Sequence, residues 1–81
     1  MLEGREKYMV YREMYAAIAE LERYITEQIE KKGHKVISVF LSVGDEETRR
    51  YFVDLEYSDD KPGTYRRVRG LFNREAIVKM R

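Results

Sequence analysis

A chain of 81 residues that is 43 % apolar and 38 % charged has enough aliphatic and aromatic side chains to build a core, which excludes an intrinsically disordered protein, and too few residues to build two. The lack of cysteine excludes disulfide staples, thiolate nucleophiles and zinc held by sulfur. A net charge of +1 conceals a basic end, because residues 61–81 carry seven of the sixteen Lys and Arg but one of the fifteen Asp and Glu; such a segment serves an anionic partner or pairs with the acidic remainder of its own fold.

No apolar run approaches the roughly 20 residues of a membrane span, and Met1-Leu2-Glu3-Gly4-Arg5-Glu6 is too polar for a signal peptide. One domain over residues 1–81, cytoplasmic and without a membrane partner, is expected.

From Arg5 to Lys32 the apolar positions Tyr11, Met14, Tyr15, Ile18, Leu21, Ile25 and Ile29 recur at three- and four-residue steps, which predicts one long amphipathic helix. Lys31-Lys32-Gly33 ends it, with cations at the negative terminus and a glycine free to take the left-handed conformation. Lys35 to Val43 alternates, placing Ile37, Val39, Leu41 and Val43 on one face of a strand and Val36, Ser38, Phe40 and Ser42 on the other.

After a polar turn over Gly44–Thr48, a second strand sets Tyr51, Val53, Leu55 and Tyr57 against Arg50, Phe52, Asp54 and Glu56. Asp59-Asp60 and Pro62-Gly63 mark a hairpin turn. A third strand over Thr64–Phe72 sets Tyr65, Arg67, Arg69 and Leu71 against Arg66, Val68, Gly70 and Phe72. Asn73-Arg74-Glu75 suits a helix cap or a tight turn, while Ala76–Met80 is β-rich. The favoured order is therefore α-β-β-β-β, an α+β fold with the helix on a curved four-stranded antiparallel meander.

Matching buried valines sets the expected registers. Val39 beside Val53 brings Phe40 to Phe52 and Ser42 to Arg50; Val53 beside Val68 brings Asp54 to Arg67, Glu56 to Tyr65, Phe52 to Arg69 and Tyr51 to Gly70. Opposed charges, cation and ring, and ring over glycine each stabilise a sheet. The face turned away from the helix then carries Val36, Phe40, Phe52, Tyr65, Arg50 and Arg69, an apolar, aromatic and basic surface of the kind that marks an interaction.

Catalytic chemistry finds no such support. His34 follows the helix-closing glycine, where a structural role is the simpler reading, and no Gly-x-Ser-x-Gly elbow surrounds Ser38, Ser42 or Ser58. Asp45-Glu46-Glu47 and Asp59-Asp60 sit in turns and lack the alternation of a calcium loop, and the scattered glycines make no phosphate cradle. Tyr8, Tyr11, Tyr15 and Tyr24 could line a ligand cavity but read first as packed core. No enzyme, metal or cofactor is expected. The candidate interaction residues are Phe40, Arg50, Phe52, Tyr65, Arg67 and Arg69. They suit self-association into a homo-oligomer or, alternatively, nucleic acid, with bases stacking on the rings and guanidinium groups neutralising phosphates.

A long helix followed by antiparallel strands resembles the cystatin-like arrangement, in which a curved sheet grips one helix. Cystatins carry Gln-x-Val-x-Gly in the first hairpin after the helix, whereas this chain has Phe40-Leu41-Ser42-Val43-Gly44, so the resemblance implies the fold and not protease inhibition. The strong apolar-polar patterning, the glycine-closed helix and the strand glycine facing an aromatic resemble de novo designed proteins of that architecture. With Asn73 and Gln28 the only side-chain amides, the composition fits heat-stable natural proteins equally well. With no site legible and burial accounting for most residues, a non-catalytic folded scaffold, natural or designed, that self-associates through the outer sheet face is the expected function.

Overall fold

The computed structural model describes residues 1–79. Helix α1 spans Gly4–Lys31, strands β1, β2 and β3 span Val36–Asp45, Arg50–Ser58 and Tyr65–Asn73, and a short helix α2 spans Arg74–Val78. The strands form one antiparallel sheet in the order β1-β2-β3. With 28 residues at about 1.5 Å each, α1 is about 42 Å long and gives the molecule its elongated shape, 49 × 18 × 18 Å.

The helix buries the stripe Val10, Met14, Leu21, Ile25 and Ile29 against the sheet. Opposite it stand Leu41 of β1 and Tyr51, Val53 and Leu55 of β2; Val53 and Leu55 are wholly excluded from solvent. Helix α1 closes as its sequence predicts. Gly33 has φ +90° and its N–H donates to the Glu30 carbonyl at 3.0 Å, while the Ile29 carbonyl accepts the Lys32 N–H at 3.1 Å and the His34 N–H at 3.4 Å, so the carbonyls of the last turn are satisfied at that end.

The tail corrects the expected fourth strand. Residues 74–78 are helical because Asn73 stands at the cap, its Oδ1 accepting the Ala76 N–H at 2.8 Å. Ile77 then drops into the core and the Tyr24 hydroxyl donates to the Val78 carbonyl at 3.0 Å. The short β-rich run is thus overridden by a capping side chain and one apolar anchor. Met80, assigned to that strand, lies outside the described residues.

Both expected registers are displaced by two residues. Leu41 faces Val53 and Val39 faces Leu55, while Val53 faces Gly70 and Leu55 faces Val68. A shift of two preserves which face each side chain occupies, so the division into covered and open faces holds for β2 and β3. It fails at the start of β1. Ile37 is an extra residue between Val36, paired with Tyr57, and Ser38, paired with Glu56. This bulge turns Val36 inward against the core and leaves Ile37 about half exposed, reversing the expected positions of both.

Gly44 is a second extra residue in β1, between the pairs Val43–Tyr51 and Asp45–Arg50. A β-carbon there would collide with Cδ2 of Leu71 and crowd the Phe52 nitrogen and Arg50 oxygen at 3.1 and 3.2 Å. The helix tyrosines also depart from expectation: Tyr8, Tyr11 and Tyr15 are exposed, and Val10 takes the buried position in the first half of the helix. The buried stripe runs one helical row away from Tyr11 and Tyr15.

Leu55→Ala should destabilise the fold by about 2–5 kcal/mol, because it opens a cavity where no solvent reaches. Leu71→Ala, at a half-exposed position, should cost well under half as much. Urea unfolding followed by circular dichroism measures both.

Candidate interaction face

Helix α1 and helix α2 cover one face of the sheet, and the other has no layer over it among the described residues. Reading across the strands, that open face presents Ser38, Glu56 and Arg67 in one row, Phe40, Asp54 and Arg69 in the next, and Ser42, Phe52 and Leu71 in a third. Tyr65 stands opposite Ser58 at one end of the sheet, and Arg50 stands opposite Asn73 at the other.

The six expected interaction residues therefore share a face without forming one cluster. Phe40, Phe52, Arg67 and Arg69 lie in adjacent rows. Tyr65 and Arg50 are separated along the strands by about 27 Å, eight steps at about 3.4 Å each. Phe40 and Tyr65 are 54 % and 62 % exposed.

Asp54 organises the centre of this surface. Arg67 donates through Nε to Oδ1 and through Nη2 to Oδ2, both at 3.0 Å, and Arg69 Nε lies 3.5 Å from Oδ2. These contacts are diagonal, since Asp54 is directly opposite Arg69 and Arg67 is directly opposite Glu56. An arginine side chain spans the diagonal, so the expected Asp54–Arg67 pair forms although the expected register does not. Arg69 also places its guanidinium carbon 6.0 Å from the Phe52 ring centroid, as a cation over an aromatic face.

The forked Arg67 hydrogen bonds hold the Asp54 carboxyl below its usual range, with the nearby Arg67 and Arg69 charges adding to the effect. Two of the basic residues on this face are thereby committed to a carboxylate. Leu71 belongs to the same surface although it is not one of the six expected interaction residues. Its alternation with Tyr65, Arg67 and Arg69 was the available signal, and it is 49 % exposed beside Phe52.

The carboxylates in the turns serve the turns. Asp45 accepts the Thr48 hydroxyl at 2.9 Å and the Glu47 N–H at 3.0 Å, and both contacts keep its carboxyl low, the Thr48 bond foremost. Asp59 accepts the Asp60 N–H at 2.9 Å, faces Arg66 at 3.3 Å and is lowered by both. Among the described residues no three His, Cys, Asp or Glu side chains gather as a metal site.

His34 lies beside a cavity of about 250 Å³. Its Nδ1 is 2.8 Å from the Ser58 carbonyl oxygen, which can only accept, so Nδ1 carries the proton. The ring also meets Tyr57 edge to face at 5.4 Å, which fastens the end of α1 to the end of β2. No described helix is long and apolar enough to cross a membrane. Comparison with protein-family models, with curated proteins and with solved structures finds no match to this chain.

A carboxyl whose folded-state pKa is depressed contributes stability above its unfolded pKa and loses it as pH falls through the folded value. For Asp54 that loss begins near pH 4 and continues below it. Urea midpoints measured between pH 6 and pH 2.5 should therefore fall further for the native chain than for Asp54→Asn, which has no proton to gain.

Proposed function

We propose that this chain is a non-catalytic folded scaffold that associates with copies of itself through the open face of its sheet. The observation that carries this reading is the run of Phe40, Phe52 and Leu71 across three adjacent strands of an uncovered face, with the arginines beside them drawn onto Asp54. A sheet face that meets water alone is normally polar at alternate positions. Apolar side chains there are stabilised by being covered, and two such faces stacked about 10 Å apart would cover each other. The regular patterning and the single helix on a curved sheet fit a designed scaffold of cystatin-like arrangement.

Light scattering at rising concentration tests the association. The native chain should gain weight-average mass, and Phe52→Asp, which puts a charge in the centre of the contact, should have the lower mass at every concentration. Superimposable curves for the two proteins would reject the open face as the contact.

One observation favours nucleic acid as the second reading. The face carries Arg50, Arg67 and Arg69 against Asp54 and Glu56, and Arg50 has no ion-pair partner among the described residues. Phosphate contacts would make oligonucleotide affinity fall steeply with ionic strength. Fluorescence anisotropy with a random single strand should then show binding at low salt that weakens for Arg67→Ala, and flat titrations at low salt would reject this reading.

A further inference from the structure

Tyr51 of β2 belongs to the covered side of the sheet and is 4 % exposed. A phenol shut into a core normally finds a hydrogen-bond partner. Among the described residues no sealed side-chain oxygen or nitrogen is left without one, yet the Tyr51 hydroxyl makes no hydrogen bond. Its oxygen is therefore the part of the residue that still reaches open space. That space is a cavity of about 140 Å³, walled by Glu13 and Ala17 of α1, by Arg49 of the β1–β2 turn and by Arg74 at the start of α2.

The cavity gathers donors. Burial pushes the Tyr51 phenol up, against the opposing pull of Arg74 and, less strongly, of Arg49, so the hydroxyl keeps its proton and can donate. Arg74 has no ion-pair partner among the described residues. Arg49 gives Nη1 to Glu13 Oε2 at 3.1 Å and keeps its remaining N–H groups unused. It also holds φ +53°, the one positive value among the described non-glycine residues, in a region that glycine would enter at less cost. Two guanidinium groups against one carboxylate leave the walls with an excess of positive charge.

These features select a small oxyanion. Each planar guanidinium can grip two oxygens of a phosphate, and a hydroxyl on the cavity floor can reach another. A carboxylate has two oxygens and is satisfied by a single fork. The cavity is well below the roughly 300 Å³ at which sites for larger organic ligands begin, so only the anionic group of such a molecule would enter.

We propose that the cavity between α1, the β1–β2 turn and α2 binds a phosphate group, free or at the end of a monoester, clamped by Arg49 and Arg74 and met from below by the Tyr51 hydroxyl. Glu13 is the built-in competitor, since its carboxylate holds Arg49 and must yield it to the incoming phosphate. The site is on the covered side of the sheet, so it is independent of association through the open face.

Titration of the full chain with inorganic phosphate, at an ionic strength held constant with sodium chloride, tests the site by nuclear magnetic resonance of the Tyr51 amide and the Arg49 and Arg74 Nε–H groups. These signals should shift and saturate with a dissociation constant on the order of a millimolar, as expected for a few contacts to a small ion. Phenyl phosphate that binds as tightly assigns the site to monoesters, and phenyl phosphate that is excluded assigns it to the free ion. Arg74→Gln and Tyr51→Phe should each weaken binding roughly tenfold, and Glu13→Gln should strengthen it roughly threefold. Arg49→Gly should lose binding without a lower urea midpoint, because glycine takes the left-handed conformation freely. Shifts that never saturate, that acetate reproduces, or that persist unchanged in Arg74→Gln and Tyr51→Phe would overturn the proposal.

Discussion

The burial of Val53 and Leu55 is the constraint from which the remainder follows. They sit in the central strand, flanked by β1 and β3, and the α1 stripe of Met14, Leu21, Ile25 and Ile29 closes over the layer they form. In a chain this short the apolar area removed from water is the main term opposing the entropy of ordering the backbone. The helix and α2 satisfy one face of the sheet, and among the described residues no element covers the other. The open face and the edge of β1 both result from a sheet of three strands served by one long helix, whose Glu22 reaches that edge at Leu41.

Those two surfaces are differently guarded. On the face, Asp54 draws Arg67 and Arg69 inward, so the apolar side chains beside them are framed by partly neutralised charge. At the edge, two bulges break the regularity of β1 and a helix carboxylate holds one of its free N–H groups. Bulges and charged side chains are the usual devices by which a sheet edge is kept from indiscriminate pairing.

Periodicity made the helix, the three strands and the helix-closing Gly33 legible, because each of those elements is an unbroken repeat of one spacing ended by a residue with a single clear conformational use. Register was not legible. Several valines and leucines fit the same covered face, and only the geometry of the turns decides among alignments two residues apart. The Ile37 bulge escaped for a related reason: Val36 and Ile37 are equally apolar, so the alternation reads smoothly through the extra residue. The tail was decided by Asn73 and Ile77 acting together, a cap and an anchor too far apart to register as β or α in a five-residue window. Of the candidate surface, the side-chain types were readable and their grouping was not, since Arg50 and Tyr65 share a face but stand at opposite ends of it.

The chain order of the sheet is also its spatial order, with each strand lying beside the one that precedes it. The links are brief, residues 46–49 and 59–64 between strands and 32–35 between helix and sheet. Closing loops of that size loses little chain entropy, and folds dominated by neighbouring segments form quickly for their stability. The long-range ties of Tyr24 with Val78 and of Leu2 with Glu47 join residues 54 and 45 positions apart, and neither takes part in the pairing of the strands, so each end of the described chain is fastened independently of the sheet's own ladder.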